Sequence, residues 1–343
     1  MKHLLNTLYI LSEDVYLSLD GENVVANRNQ QAVARYPLHT LQNIITFSYS
    51  GASPALLGAC AQRQVGLAFC TPRGKFLARV CGESNGNVLL RRTQYRVADD
   101  LAQSIRIGRT MIFGKTCNAR WSIERTRRDH SLRVDSDQLT ATSRQLQSLL
   151  PQVREASSPE ELRGLEGAGA SAYFKVFDQL ILGDKEAFFF SGRSRRPPLD
   201  AVNAMLSFAY SLLAHDCASA LESVGLDSYV GFLHRDRPGR TSLALDLMEE
   251  LRPCMADRFV LTMINNRIIK SADFQYTHSG AVLLTDEGRK TFLRHWQEKK
   301  KEVLTHPYLA EKLPWGMIPY VQALLLARHL RGDLDEYPPF LWK

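Results

Sequence analysis

Acidic residues and one histidine stand in two short stretches of the chain whose other residues are mostly apolar or small. Glu166 lies in the stretch 162–170, which also holds three glycines, and His234 and Glu249 lie in the stretch 231–253. An unpaired carboxylate in an apolar interior costs several kcal/mol, so such groups persist where they pair with one another, with a cation or with a metal. The two stretches therefore indicate a site that combines carboxylates with an imidazole.

Two carboxylates and an imidazole are suitable ligands for Mg²⁺ or Mn²⁺, with water and phosphate oxygens completing the shell. Glu166, His234 and Glu249 are the candidate ligands, and the histidine favours Mn²⁺, although the ligand types also suit zinc. Such a metal polarises and orients a phosphodiester. Each residue alone has an ordinary structural reading: a salt-bridged helix glutamate, a loop histidine, and a solvated helix face for acids at i, i+3 and i+4.

Composition indicates a globular protein with a basic bias. Of 343 residues, 45% are hydrophobic and 23% charged, and the net charge is +7. Basic residues cluster at 91–92, 115–133 and 193–196, which makes a polyanionic partner plausible. Arg193, Arg195 and Arg196 are the candidate contacts to phosphates of such a partner. The six cysteines form no C-x-x-C pair, which favours small buried thiols in a reducing cytoplasm. We expect no membrane segment and no signal peptide.

The order of predicted elements is β first and α second. Residues 15–19 and 23–26 flank a hairpin loop, and further strands are predicted at 43–47, 66–70 and 76–80. Ser53-Pro54 and Ser158-Pro159 have the composition of helix starts. We expect helices over 199–224 and 243–251, and a helical region that continues to about residue 331 before an aromatic tail. The fold class is α+β, with a small β-rich domain at 1–88 and a larger all-α catalytic domain at 89–343.

Three motifs give the chain a specific resemblance. They are the glycine-flanked glutamate block 162–170, the run Gly-Leu-Asp-Ser-Tyr-Val-Gly-Phe-Leu-His at 225–234, and the run Ser-Leu-Ala-Leu-Asp-Leu-Met-Glu-Glu-Leu-Arg-Pro at 242–253. Together with Pro-Pro-Leu-Asp-Ala-Val-Asn-Ala-Met-Leu-Ser-Phe-Ala-Tyr at 197–210, they resemble the CRISPR-associated integrase of spacer acquisition, the larger protein of the adaptation complex. The resemblance covers essentially the whole chain, in the style of the type I-C branch.

The resemblance implies a site, a reaction and partners. The family's metal-binding glutamate corresponds to Glu166, its histidine to His234, and its third ligand to Glu249, with Asp246 as a supporting acid and the alternative third ligand. The implied reaction is attack by the 3′-hydroxyl of a short DNA fragment on a phosphodiester at the edge of a CRISPR repeat. The implied cofactor is Mg²⁺ or Mn²⁺. The implied assembly is a homodimer formed through the β domain, with two dimers bridged by a dimer of a small partner Cas protein.

Two other functions remain open at this point. One is a metal-dependent nuclease that hydrolyses branched or single-stranded DNA with the same site, which only a joining assay separates from an integrase. The other is a helical DNA-binding scaffold whose acids are structural, for which alanine at Glu166 would leave every activity on DNA intact. As an integrase, the protein should lose joining with alanine at any of the three ligands, and alanine at Asp246 should be milder.

Overall fold

A computed structural model describes residues 7–63, 65–71, 76–80 and 88–342. Its contacts divide the chain into one unit of Met1–Asn85 with Arg289–Glu302 and another of Gly86–Gly288 with Val303–Lys343. The segment 289–302 thus groups with the N-terminal unit. A division of the chain at one boundary near residue 88 does not describe this grouping. None of the described helices combines the length and the apolar character needed to cross a bilayer.

The described strands and helices follow in chain order. The strands are β1 (Thr7–Ile10), β2 (Tyr16–Asp20), β3 (Asn23–Arg28), β4 (Gln31–Pro37), β5 (Asn43–Thr46), β6 (Gly66–Cys70), β7 (Phe76–Val80), β8 (Phe274–Tyr276), β9 (Val282–Leu284), β10 (Val303–Thr305) and β11 (Lys312–Pro314). The helices are α1 (Pro54–Gln62), α2 (Val88–Asp99), α3 (Leu101–Asp129), α4 (Ser136–Glu155), α5 (Pro159–Lys175), α6 (Ala201–Ser223), α7 (Ser242–Leu251), α8 (Arg258–Asn265), α9 (Asp286–Lys301) and α10 (Ile318–Leu330).

The N-terminal unit contains two sheets. Strands β2, β3 and β4 form an antiparallel meander, and the other sheet has the order β1-β5-β6-β7, with β1, β5 and β6 parallel. Alternating apolar side chains of these strands and of α1 form one core, with Leu17, Ile44 and Leu56 fully buried. The strand-rich start that the sequence predicts is confirmed.

Several local predictions for this unit are confirmed. The hairpin between β2 and β3 turns over two residues, with Gly21 at φ +56°. Ser53 caps α1 by accepting the N–H of Leu56 at 3.2 Å. Strands β1 and β4 were not predicted. Nearly all residues of β4 are exposed, so this strand has no alternation of buried and exposed positions. The predicted turn at 72–74 lies outside the described residues.

The second unit is mostly helical and is built around α3. This helix has 29 residues, and Asp100 caps it by accepting the N–H groups of Ala102 and Gln103. Polar side chains occur on its buried face because each finds a partner: Thr116 donates to its own helix at 2.8 Å, and Ser104 donates to the carbonyl of Phe232 at 2.7 Å. Helices α4, α5 and α7 pack against α3, so α3 is the scaffold for the residues that the sequence analysis selected.

The predicted helix 243–251 is confirmed as α7, but the chain stays helical beyond its end. After Leu251 the chain continues through a π-helical turn at Arg252–Asp257 into α8. Pro253 has no N–H to donate to the carbonyl of Glu249, and the wider turn accommodates that missing bond. The predicted helix 199–224 is confirmed as α6, with Asp200 as its cap and Gly225 at φ +87° after its end.

The last third of the chain is less helical than predicted. Two short hairpins, β8–β9 and β10–β11, interrupt the region for which the sequence indicated continuous helix. Their strands have three residues each, which is too few for an alternating pattern to be recognised in the sequence. The aromatic tail is fixed to the helices: Asn118 donates to the carbonyl of Phe340 at 2.8 Å and accepts the N–H of Trp342 at 2.8 Å.

The five cysteines in the described part of the chain form no disulfide bonds. Cys60, Cys70, Cys217 and Cys254 are buried and Cys117 is half-buried, which confirms the prediction of small buried side chains for four of them. Cys81 lies outside the described residues.

Candidate active site

Glu166 lies two turns into α5. Ser158 caps this helix by accepting the N–H of Glu161 at 3.1 Å, with Pro159 in the first turn, as predicted. Of the three glycines around Glu166, only Gly169 packs against neighbouring side chains, those of Leu149 and Leu146. A Cβ at Gly164 or Gly167 would meet no described atom within 4 Å. The helix surface beside Glu166 is therefore open on that side.

His234 lies on the loop before α7, and Asp246 of α7 holds this loop. The carboxylate of Asp246 accepts the backbone N–H groups of Phe232, Leu233 and His234 at 2.6, 2.9 and 2.9 Å. It also lies 2.6 Å from the Nδ1 atom of the His234 ring. The Asp246 side chain has no exposed surface. Asp246 thus fixes both the loop and the orientation of the imidazole.

The approach of Asp246 to the loop explains Gly231. A Cβ at that position would lie 2.7 Å from the Oδ2 atom of Asp246 and 2.9 Å from the Cβ of Ser242. Both contacts are too close for real atoms, so only glycine permits the loop to lie against α7.

Glu249, one turn after Asp246, faces the other side of the imidazole. Its Oε1 atom is 3.8 Å from the Nε2 atom of His234. Arg252 lies 2.9 Å from the same Oε1, and the ammonium of Lys115 lies 2.8 Å from Oε2. Burial opposes the charged form of Glu249, but Arg252, Lys115 and His234 together hold its pKa at about 2. Glu249 is therefore ionised throughout the neutral range.

Lys115 of α3 brings the two glutamates together. Its ammonium contacts the Oε1 atom of Glu166 as well as Glu249. The Lys115 side chain is 14% exposed, against 31% for Glu166 and 3% for Glu249. Glu166 and Glu249 thus share one ammonium, and His234 lies beside Glu249. Helices α3, α5 and α7 and the loop before α7 supply these four side chains.

By residue type, two carboxylates and an imidazole suit a hard divalent cation. Two carboxylates face one another across Lys115, and the Nδ1 atom of His234 is engaged by Asp246, which leaves Nε2 as the ring nitrogen turned to Glu249. Across the part of the chain that the structure describes, no three His, Cys, Asp or Glu side chains stand as close together as a bound metal needs. The ammonium of Lys115 lies between Glu166 and Glu249.

Glu250 shows that the acids of α7 are not a solvated face. Asp246, Glu249 and Glu250 are all at most 2% exposed. Glu250 accepts hydrogen bonds from the Tyr337 hydroxyl, the Gln322 amide and the Phe340 N–H, and burial raises its pKa to about 7. It connects α7 to the C-terminal tail.

A cavity of about 40 Å³ adjoins the site. Its lining includes Lys115, Glu166, Tyr173, Tyr210, Arg252 and Asp257. The Tyr210 hydroxyl donates to Asp257 at 2.6 Å, and Arg252 lies over the Tyr210 ring at 5.1 Å. The cavity therefore reaches the site at Lys115, Glu166 and Arg252, and its lining includes further polar groups.

The three arginines before α6 have different environments. Arg193 donates to the Oδ1 atom of Asn203 at 2.7 Å and to the Ser207 hydroxyl at 3.1 Å, and its guanidinium lies over the Tyr210 ring at 5.3 Å. Arg195 and Arg196 are exposed, and Arg195 also lines the cavity. The guanidinium of Arg193 is thus engaged within the fold.

Sequence reasoning missed Lys115 and Arg252. The sequence placed Lys115 in a basic cluster that extends to Arg133. Its ammonium instead forms two ion pairs inside the protein. Arg252 had a local signal, since it follows Glu249 by three residues on one helix face. Lys115 had none, because its partners are 51 residues or more away in the chain.

Comparison with known proteins identifies the family. The model described as "CRISPR associated protein Cas1" matches residues 8–298, which include Glu166, His234 and Glu249. The chain belongs to the Cas1 family. A Cas1 protein of Rhodospirillum rubrum, named CRISPR-associated endonuclease Cas1 2, is 50% identical over 347 residues, and both chains are covered in full. CRISPR-associated endonuclease Cas1 1 of Chlorobaculum tepidum is 47% identical over 343 residues, again with both chains covered in full.

Solved structures show the Cas1 fold in more distant proteins. A casposase bound to its integration product superposes with a TM-score of 0.83 at 22% identity, over 98% of this chain and 94% of the casposase. A chain of a Cas6-RT-Cas1–Cas2 complex superposes with a TM-score of 0.81 at 21% identity, over 100% of this chain and 36% of its own length. The strand-first, helix-second architecture is thus that of Cas1. The type I-C branch stays a prediction.

Proposed function

We propose that this protein is a metal-dependent DNA integrase of CRISPR adaptation. It joins the 3′-hydroxyl of a short DNA fragment to a phosphodiester at the edge of a CRISPR repeat, once on each strand. Membership of the Cas1 endonuclease family supports this function. The shared fold with a casposase bound to its integration product supports joining of DNA in addition to hydrolysis.

Glu166, His234 and Glu249 are the proposed ligands of Mg²⁺ or Mn²⁺. The observation that carries this proposal is the orientation of His234: Asp246 engages Nδ1 at 2.6 Å, and Nε2 is turned toward Glu249. Carboxylates hold metal-binding histidines in this way because a proton fixed on one ring nitrogen leaves the lone pair on the other. The same geometry favours Glu249 over Asp246 as the third ligand, since Asp246 is occupied by the loop.

The metal, when bound, polarises the phosphodiester and stabilises the charge that develops on it. The chain's own residues prepare the site for this. Arg252, Lys115 and His234 keep Glu249 ionised, and Asp246 fixes the orientation of the imidazole through its Nδ1 atom. The open side of α5 at Gly164 and Gly167 leaves room for a DNA backbone beside Glu166.

The proposed partners are DNA and Cas proteins. DNA enters as the spacer precursor and as the CRISPR repeat, with Arg195 and Arg196 as phosphate contacts. Arg193 is left out of this proposal because its donors are engaged with Asn203 and Ser207. A homodimer forms through the N-terminal unit, and two dimers are bridged by a dimer of a small Cas protein. A neighbour solved as a Cas6-RT-Cas1–Cas2 complex supports a Cas protein as partner.

The joining assay tests this function. The protein and its small partner are incubated with a short duplex that has free 3′ ends, supercoiled repeat DNA and Mn²⁺. Joined product is expected from the unaltered protein and from Glu155→Gln, an exposed control. It should be lost with Glu166→Gln, His234→Ala, Glu249→Gln or excess chelator, while DNA binding persists.

The outcomes separate the candidate functions. Cleavage that depends on the same three residues, with no joined product, would identify a hydrolytic nuclease. Full joining in chelator would exclude a metal mechanism, and full joining by one variant would remove that residue from the site.

A further inference from the structure

Lys115 is the central cation of the proposed metal site. Its ammonium lies between Glu166 and Glu249 and contacts an oxygen of each. Glu249 is 3% exposed and Lys115 14%, so water screens this contact little. The Oε1 atom of Glu166 and the Oε2 atom of Glu249 both face the ammonium, so a divalent ion held between the two glutamates would compete with it for these oxygens.

Arg252, the other cation at Glu249, is fixed in place. Its guanidinium approaches Glu249 at 2.9 Å and lies over the Tyr210 ring at 5.1 Å. A planar guanidinium that is stacked and paired has little freedom to move, whereas a lysine ammonium sits on a flexible four-carbon stem. Of the two cations, Lys115 is therefore the one that can leave.

Binding of a metal would change the charge balance of the site. The charges of Glu166 and Glu249 are balanced by those of Lys115 and Arg252. A divalent ion added to these four groups would leave two positive charges without a counterion. The Lys115 ammonium, once displaced from the glutamates, would need another anion. The closest anion brought by the proposed reaction is a DNA phosphate.

We propose that Lys115 is an exchangeable cation of the active site. In the metal-free protein it holds Glu166 and Glu249 together; on metal binding it leaves them and pairs with a phosphate of the DNA. This inference rests on the proposed metal site. It makes Lys115 a residue that contacts substrate only after the metal is bound, so metal and DNA bind with positive coupling.

Metal affinity gives the first test, with isothermal titration of Mn²⁺ into the DNA-free protein. Lys115→Met removes the competing cation, so the affinity for Mn²⁺ should rise by about tenfold, within the usual range of coupling between two ligands. Lys115→Gln, which keeps amide donors for both glutamates, serves if the methionine variant does not fold. Lys185→Met is the matched control. The ammonium of Lys185 lies 2.7 Å from the carboxylate of Asp178, and this pair contacts none of the proposed ligands.

The titration distinguishes this proposal from the one that it rests on. Unchanged or weaker Mn²⁺ binding in both Lys115 variants overturns the exchange, while the metal site stands if Glu249→Gln loses binding. Absence of Mn²⁺ binding by the unaltered protein overturns both proposals.

The salt dependence of DNA binding gives the second test. Affinity for a duplex with 3′-deoxy ends, which cannot be joined, is measured over a range of salt with and without Mn²⁺. One phosphate contact contributes a slope of about 0.9 in log affinity against log salt. Lys115→Met should reduce the slope by about this amount with Mn²⁺ and not without it. An equal reduction in both conditions, or none in either, overturns the exchange.

Discussion

At the scale of single residues, Asp246 holds both the His234 loop and the His234 ring, which is more than the supporting role predicted for it. Its two carboxylate oxygens accept from four groups: three backbone N–H groups and the His234 ring. An asparagine has one acceptor oxygen, so Asp246→Asn would leave about two of these donors unpaired, at about 1–3 kcal/mol each. We expect the free energy of unfolding to fall by about 2–6 kcal/mol and joining to fall about 10–100-fold, as for other residues that orient metal ligands.

Urea unfolding and the joining assay measure the two effects, with the exposed Asp236→Asn as control. The geometry thus argues against the mild effect that the sequence predicted. Normal stability together with normal joining in Asp246→Asn would show that the loop holds His234 without this carboxylate.

The sequence could select Glu166, His234 and Glu249 because each has an unusual local setting. It could not show how they are connected. The contact of Lys115 with two glutamates depends on the packing of α3 against α5 and α7. The residues around position 115 carry no other charge, but they do not show which acids Lys115 meets. Likewise, the acids of α7 were interpreted by their spacing, which is the same for a solvated face and for a buried one.

Asp257 gives the folded protein a pH dependence in the acidic range. Burial raises the pKa of Asp257 from 3.8 to about 6, against the opposing effects of the Tyr210 hydrogen bond and of Arg252. Between these two pH values the folded state binds more protons than the unfolded state, so its contribution to stability falls as pH rises. At about 1.4 kcal/mol for each pH unit, the full effect is about 3 kcal/mol.

Asp257→Asn removes this titration and keeps an acceptor for the Tyr210 hydroxyl. Urea unfolding at pH 4 and pH 7 should therefore give a smaller loss of stability on going to pH 7 than in the unaltered protein, by about 2–3 kcal/mol. Asp335→Asn, an exposed control, should leave the loss unchanged. Equal losses in all three proteins would mean that Asp257 titrates normally.

At the scale of elements, the C-terminal tail is part of the helical core. Phe340 is fully buried, and its N–H donates to Glu250 at 2.8 Å. Gly114 of α3 permits this arrangement, since a Cβ there would lie 3.0 Å from Glu250 and 3.2 Å from Pro339. The tail therefore secures α7 through the residue that follows Glu249.

Phe340→Ala should reduce the free energy of unfolding by about 3–5 kcal/mol, the usual range for a buried phenylalanine. Leu341→Ala is the matched control, because Leu341 is half-buried and adjacent, and it should have a smaller effect. Urea unfolding of the two variants makes the comparison. Equal, small losses would show that the tail is only loosely attached.

The elements that sequence predicted well are those with strong local signals. The capped starts of α1 and α5 and the two-residue hairpin between β2 and β3 follow from Ser-Pro and Gly chemistry alone. The π-helical turn after α7 and the hairpins β8–β9 and β10–β11 were missed, since three-residue strands and a widened helix turn have no periodicity of their own. Tertiary contacts, such as those of the tail with Asn118, determine such elements.

At the scale of the whole molecule, the net charge of +7 suits a protein that binds DNA. Many basic side chains are nevertheless engaged within the protein. Arg193 bonds to Asn203 and Ser207, and Lys115 and Arg252 pair with the glutamates of the site. The clusters seen in the sequence therefore overstate the charge available to a phosphate backbone, and exposure selects Arg195 and Arg196 from the cluster before α6.

Replacing Arg195 and Arg196 together by glutamine should weaken DNA binding uniformly across sequences, because phosphate contacts do not read bases. The slope of log affinity against log salt should become shallower by about 1.8, at about 0.9 for each phosphate contact. Arg193→Gln should instead lower the free energy of unfolding and leave the slope unchanged, because its guanidinium bonds within the fold. Fluorescence anisotropy over a range of salt measures the slopes, with Arg35→Gln in the N-terminal unit as an exposed control. A slope in the double variant equal to that of the control would mean that this loop touches no phosphate.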